Sequence, residues 1–312
     1  MSLTFRTARS VDTPNILALL STCFRTPPSQ ADWDWFTRLN PYGKSRVCLA
    51  LTGGEQVAAV YCFAPTRLTI EGKSTQTSYG HHLAFDPKHR NALSFVEFSR
   101  FAFANEIAHG TDFVIGPPNK NAYLPHKILM QWFDFGFLEY LSKSRPADRQ
   151  HSCVELHEFD AAFDEFFDRV SRGMSVYFSK TSAWMNWRFF RRPGAPYTVY
   201  AAYDGARITG YVVVKKWVEA SGYRKVHIMD LRGETAATIA NLLAAAEAYG
   251  AAFDEINTWS VLHDAYRAPL EAAGFINQPD KRQPLLARAL RGPAMAFPAG
   301  PASFMYGDGD GY

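Results

Sequence analysis

Two landmarks recur in this chain at nearly the same spacing, and together they restrict its architecture more than any single motif does. A long apolar helix pattern closes on Gly110-Thr-Asp-Phe113, and a second closes 140 residues later on Gly250-Ala-Ala-Phe253. A shorter helix pattern leads to Gly136-Phe137, and another leads to Gly274-Phe275, 138 residues on. The order of strand-like and helix-like segments between them also matches. Self-similarity at a fixed offset is the signature of a repeated unit. The chain is therefore expected to fold as two α/β domains of one plan, residues 1–150 and 151–290. Residues 291–312, rich in Gly, Pro and Ala, are expected to form an irregular C-terminal tail.

In the first half, Leu3–Ala8 reads as a strand, and Asp12-Thr-Pro14 starts a helix with Ile16, Leu19, Leu20 and Cys23 on one face. Arg46–Leu51 and Gln56–Ile70 are extended segments joined at Gly53-Gly54, and Ser78–Phe85 is a third strand. A helix is expected over Leu93–Ile107, then a buried strand at Phe113-Val-Ile115 cut by Gly116-Pro-Pro118. A helix around Leu124–Phe133 and a hairpin to about residue 156 complete this half. The second half repeats the order. A helix at Phe159–Val170 leads to strands at Tyr197–Tyr203, Ile208–Trp217 and Lys225–Leu231. A helix at Ala236–Tyr249, a strand at Phe253–Trp259 and a helix at Asp264–Ala273 follow.

Composition narrows the function classes. With 312 residues, 47% of them hydrophobic, the chain can bury a large core without disulfide or metal staples. The net charge, 33 − 30 = +3, is too small for a nucleic-acid coat or a membrane-surface protein. No apolar run approaches the ~20 residues that a bilayer requires. Cys23, Cys48, Cys62 and Cys153 have no paired spacing and read as reduced thiols of a cytoplasmic protein. His151, Cys153 and His157 lack the acidic or second thiol partners of a metal site, so no metal is expected. No Ser-His-Asp order, phosphate-binding P-loop or dinucleotide fingerprint is present. The aromatic and arginine run Trp184–Arg192 reads either as a segment docking the second half's opening helix or as a pocket for a nucleotide-linked sugar.

The element order β-α-(α)-β-β-β-α-β-α-β resembles the GNAT acyltransferase superfamily, here as two tandem copies. Leu83-Ala-Phe-Asp-Pro-Lys-His-Arg-Asn-Ala-Leu93 is similar to the exit of that family's fourth strand, where a Val-x-Pro-x-x-Arg run feeds a phosphate-binding loop and a long helix. Phe113-Val-Ile-Gly-Pro-Pro-Asn119 and the helix to Gly136-Phe137 resemble its fifth strand and following helix. Trp187-Arg-Phe-Phe190, Pro193 and Gly210-Tyr-Val-Val-Val214 resemble tandem members. The likeness covers about residues 3–290. It implies an α/β (α+β) fold, each domain a mixed, mostly antiparallel sheet flanked by helices. It further implies acetyl-CoA or another acyl-CoA as co-substrate, and transfer of the acyl group to the amine of a small molecule such as an amino sugar or amino acid.

In such a fold the fourth strand splays from the fifth, and the cleft takes the acyl-pantetheine arm. The N-terminus of the next helix receives the pyrophosphate. The resemblance thus assigns donor binding to Leu83, Phe85, Arg90, Asn91, Ala92, Leu93 and Ser94. Asn119 and Asn121 either contact the pantetheine or acceptor, or serve as turn-capping amides. Departures from the pattern are plain. Leu93 and Phe95 stand where the family carries glycines, and the second copy's Asp230-Leu-Arg-Gly-Glu-Thr235 keeps only Gly233. If a single copy binds the donor, Pro87 and Arg90 favour the first.

Acyl transfer to an amine requires a base for the amine proton and an acid for the leaving thiolate. The tyrosine that the family places before the last Gly-Phe is replaced by Trp132 and Leu270, which leaves Tyr123 as the substitute acid. His81 and His82 fall at the end of the fourth strand; alternation sends one to each face, and His82 is the candidate base. Asp230 holds the corresponding place in the second copy. A backbone N–H near Phe85 would polarise the thioester carbonyl. Two further readings stay open: a tandem pair that binds a ligand or partner without catalysis, and a tRNA-dependent aminoacyl transferase of the peptidoglycan cross-bridge type. The partner expected is a small-molecule amine, with no nucleic acid and no membrane, and the chain is expected as a monomer or homodimer.

Overall fold

A computed structural model of the chain describes residues 3–53, 55–194, 196–261, 264–292 and 298–309. In chain order the first elements are β1 (Thr4–Thr7), α1 (Thr13–Cys23), α2 (Gln30–Arg38), β2 (Arg46–Leu51) and β3 (Val57–Ile70). Next come β4 (Lys73–Phe85), α3 (Ala92–Ala108), β5 (Phe113–Gly116), α4 (Lys120–Ile128) and β6 (Phe133–Ser144). The chain continues through β7 (Val154–Leu156), α5 (Ala161–Ser171), β8 (Val176–Phe178) and α6 (Ser182–Met185), which runs into a π-helical turn at Asn186–Phe190. It ends with β9 (Thr198–Asp204), β10 (Arg207–Val218), β11 (Arg224–Gly233), α7 (Ala236–Tyr249), β12 (Glu255–Val261), α8 (Arg267–Ala272), β13 (Ile276–Asn277), β14 (Gln283–Ala289) and β15 (Ala302–Ser303).

The chain divides into two units, and they are not contiguous halves. Among the described residues, unit 1 takes 3–68, 74–135 and 284–292, and unit 2 takes 69–73, 136–283 and 298–309. Strand pairing explains the difference from breaks near 150 and 290. Leu138–Ser144 of β6 register against β12, whereas Leu286–Ala289 of β14 register against β5. The C-terminal residues are also not irregular throughout. Ala302–Ser303 pair with Val176–Tyr177, and Tyr306–Asp308 form a buried turn, all within unit 2. Gly54 of the expected Gly53-Gly54 turn, and 293–297 and 310–312 of the expected tail, lie outside the described residues.

Each unit has a mixed, mostly antiparallel sheet flanked by helices, which is the expected fold class. In unit 1 the strand order is β1-β2-β3-β4-β5-β14, with β4 and β5 parallel. Residues alternate across β2 and β3 so that both faces are covered. Cys48, Ala50, Ala59, Tyr61 and Phe63 pack against Phe98, Ala102 and Phe103 of α3. Leu49, Leu51, Val60 and Cys62 pack against Ile16, Leu19 and Leu20 of α1. Each of the larger aliphatic and Phe side chains among these contributes roughly 1.5–3 kcal/mol by leaving water. Cys23, expected on the same buried face, is exposed at the end of α1. In unit 2 the order is β6-β12-β11-β10-β9-β7, with β11 and β12 parallel, and α7 and α8 cover Val212, Val214 and Ile228.

One landmark is displaced. Gly274 turns the chain after α8 at φ +91°, but Gly136 lies inside β6 and closes no helix. α4 is followed instead by Gln131 at φ +57°, a non-glycine in the left-handed region, and then by Trp132. The hairpin expected after it is also absent, because β7 pairs with β9.

Candidate functional site

β4 and β5 of unit 1 run parallel over three residue pairs, Thr77 with Phe113, Ser78 with Val114 and Tyr79 with Ile115. The sequence ends the pairing there. Pro117 and Pro118 follow β5 and carry no N–H to continue the ladder. The strands approach closely at the fork: a Cβ on Gly116 would stand 3.1 Å from the Gly80 carbonyl oxygen, a tight contact that glycine avoids. The base of the fork is fixed by a buried network. Glu106 of α3 is fully buried and accepts from Arg46 Nη2 at 2.6 Å, Ser78 Oγ at 2.6 Å and Thr111 Oγ1 at 2.9 Å. These bonds tie α3 to β2 and β4.

Beyond the fork the strands diverge around a cavity of about 540 Å³, within the size range of small-molecule sites. Of the expected donor-binding residues, Leu83, Phe85, Arg90, Asn119 and Asn121 line it. Asn91, Ala92, Leu93 and Ser94 lie beside it on the first turn of α3. There the Asn91 side chain caps Ser94 N at 3.0 Å and donates to Ser94 Oγ at 2.9 Å, while Leu93 is exposed. Asn119 Oδ1 accepts from Asn121 N at 3.0 Å and Ala122 N at 2.9 Å, so its carbonyl oxygen is engaged in capping α4. Two further residues on the wall were not singled out from sequence: Cys23, whose Sγ stands 3.5 Å from the Phe85 carbonyl oxygen, and His126 of α4.

The expected catalytic side chains fare differently. His82 adopts φ +48°, and this break in strand geometry brings both histidine rings to one place instead of opposite faces. The Nδ1 atoms of His81 and His82 share a hydrogen bond, and the His82 ring stands edge-on to Phe24, Trp33 and Phe36, each at 6.0 Å. Burial, reinforced by the neighbouring ring, holds His81 well below the usual histidine range. Tyr123 is not among the residues lining the cavity, and its hydroxyl donates to Asp134 Oδ1 at 3.0 Å and accepts from Lys127 at 3.2 Å. Its proton is thereby committed to a carboxylate.

Asp230 belongs to a different setting, the interior of unit 2. It is fully buried, 2.5 Å from Lys180 Nζ and 3.4 Å from Arg232, and accepts from the Tyr211 hydroxyl at 3.1 Å. Burial alone would raise its pKa, but Lys180 and Arg232 hold it below the ordinary value. This is a structural anion, not an accessible base.

The corresponding fork of unit 2 is filled by the chain itself. β11 and β12 pair over Lys225 with Glu255, Val226 with Ile256 and His227 with Asn257, again three pairs. Past that point Tyr306 lies against both strands, its ring 5.3 Å from His227 and 4.5 Å from Trp259, its hydroxyl 3.1 Å from Asn257 Oδ1. Gly307 packs so closely that a Cβ would meet the Met229 carbonyl oxygen at 2.9 Å. Arg188 clamps this segment through the carbonyls of Gly307 and Gly309, both at 3.0 Å. That engagement gives Arg188 of the Trp184–Arg192 run a structural role.

Residues 4–123 match the family model of an acetyltransferase (GNAT) domain. That stretch of unit 1 is similar to a GNAT domain. The match begins at β1 and ends in α4, so it contains both arms of the unit 1 fork. Among solved structures, a probable N-acyltransferase of Enterococcus faecalis is similar with a TM-score of 0.68 and 12% identity, covering 93% of this chain and 73% of that one. A GCN5-related N-acetyltransferase of Anabaena variabilis gives 0.70 and 13% over the same shares, and one of Kribbella flavida gives 0.67 and 14% over 93% and 72%. At such identities the likeness is one of fold. No curated protein matches the chain. The domain and the fold together support an N-acyltransferase as the class of enzyme.

Proposed function

We propose that the chain transfers an acyl group, in the first instance acetyl, from acyl-CoA bound in the unit 1 fork to the primary amine of a small molecule such as an amino sugar or amino acid. The observation that carries this reading is the contrast between the two forks: three parallel pairs each, with a cavity of about 540 Å³ in unit 1 and the Tyr306–Gly309 segment in unit 2. The pantetheine arm pairs with strand edges left open beyond Tyr79 and Ile115. The pyrophosphate lies at the first turn of α3, beside Arg90, where N–H groups and the positive end of the helix favour anions. A backbone N–H near Phe85 polarises the thioester carbonyl. Unit 2 is the degenerate partner, a fold that supports the chain without taking donor.

Calorimetric titration with acetyl-CoA and a longer acyl-CoA tests this. One site per chain is expected, with affinity about tenfold or more weaker in Arg90→Glu, a loss of ~1.4 kcal/mol or more. Absence of acyl-CoA binding by the folded chain, or two equivalent sites, overturns it.

A further inference from the structure

His126 is held on the cavity wall in a way that defines which of its nitrogens can do chemistry. The residue is 8% exposed, and Trp132 meets its ring edge-on at 5.0 Å and 78°. Nδ1 lies 2.7 Å from the Ala122 carbonyl oxygen, one turn back on α4. A carbonyl only accepts, so Nδ1 carries the proton, and Nε2 is the lone-pair nitrogen of the neutral ring. Burial lowers the pKa below its usual 6.5, opposed by the bond to Ala122. The ring is thus neutral at pH 7 with its basic atom specified.

Resting on acyl transfer in the unit 1 fork, we propose that His126 is the proton relay of that reaction. Nε2 takes a proton from the acceptor amine as its nitrogen attacks the thioester carbonyl, and returns it to sulfur as the C–S bond breaks. The C–N bond forms, the C–S bond breaks, one proton moves from nitrogen to sulfur, and the imidazole ends neutral. No further co-reactant enters.

The surrounding groups favour this residue. The Tyr123 hydroxyl is committed to Asp134, and the Nδ1 atoms of His81 and His82 to each other. Cys23 of α1 and the exposed Arg90 share the wall with His126, and among the described residues no carboxylate lines the cavity to hold a proton on Nε2. On its own helix Lys127 is paired with Asp134. Around Trp132 stand Tyr61, whose phenol burial holds protonated, and Arg288, which donates to the Met130 carbonyl.

The test uses the full chain and its His126→Gln and His126→Asn variants, with acetyl-CoA and an amine accepted by the wild type. Turnover is measured from about pH 5 to 8.5, and acetyl-CoA affinity by calorimetry. Expected is a loss of roughly 100-fold or more in kcat, the lower end of general acid–base effects, with the acetyl-CoA Kd within about threefold. The wild-type kcat should rise to a plateau through a midpoint below 6.5, a limb missing from both variants. Variants that keep the wild-type kcat, or lose kcat and affinity together while retaining the pH limb, overturn the relay. A wild type that binds no acyl-CoA overturns the proposed function and the relay with it, which the calorimetry separates from the preceding outcomes.

Discussion

Lys180 is the residue on which the filled fork of unit 2 can be tested most sharply. Its Nζ lies 2.5 Å from Asp230 and 2.9 Å from Asp308, with all three side chains at 0% exposure. Arg232, equally buried, stands 3.4 Å from Asp230. Two cations therefore balance two carboxylates. Lys180→Met keeps the volume and removes a charge, leaving two buried carboxylates against one guanidinium. Breaking a buried pair in this way costs ~3–5 kcal/mol, since an uncompensated charge stays behind.

The cluster also dictates how that cost varies with pH. Burial raises the Asp308 pKa, against the pull of Lys180. Without Lys180 the carboxyl is raised further, so the folded state binds its proton more tightly than the unfolded chain does. Stability contributed by a raised carboxyl is present at low pH and lost as pH rises through the folded value. Lys180→Met should accordingly lose its ~3–5 kcal/mol at pH 8 and less at pH 5. Adding Asp308→Asn removes the surplus charge and should restore more than half of the loss. Urea unfolding followed by tryptophan fluorescence reads this out, because Trp184 lies 5.7 Å from the ammonium. A Lys180→Met variant within ~1 kcal/mol of wild type at pH 8, or no recovery in the double variant, would refute the balanced-cluster argument.

Two other consequences follow from named side chains. Burial pushes Asp264 up from 3.8 to about 6, against bonds from Tyr266 and the pull of Arg232; at 1.36 kcal/mol per unit that is worth about 3 kcal/mol. The wild type should lose that much relative to Asp264→Asn as pH rises from about 4 to 7, and a pH-independent difference between their urea midpoints would count against it. Tyr123→Phe removes a hydroxyl bonded to Asp134, on a residue that does not line the cavity. Its kcat should stay within about threefold of wild type, whereas a loss of roughly 100-fold would restore Tyr123 as the acid.

The fork of unit 1 was legible because its causes are local. Gly116-Pro-Pro118 stops a strand by backbone chemistry alone, and the segment from Leu83 to Arg90 needs only its position after a strand to be placed beside that stop. The two compact units differ from the contiguous bounds because β6 and β14 are assigned by partners more than 100 residues away, β12 and β5. The facing of His81 and His82 failed on one torsion, the positive φ of His82, which no strand periodicity contains. The sequence points to Gly136 as the close of α4 and so to Trp132 rather than His126, whereas Gly136 lies inside β6. The chain turns instead at Gln131, just after α4, the helix that carries His126.

The last residues show why composition misleads about a segment of this kind. Gly, Pro and Ala specify no element of their own, so residues 298–309 carry no periodic signal. Their order comes from outside: Arg188 donates to two of their carbonyls, Lys180 pairs with Asp308, and Asn257 meets the Tyr306 hydroxyl. A glycine at 307 serves that purpose directly, since the close approach to Met229 excludes a side chain. The same small residues that read as an irregular tail are what allow a backbone to enter a narrow fork. Two forks with the same three-pair parallel contact thus reach opposite ends, one kept open by prolines after its strand, the other occupied by a segment slender enough to fit it.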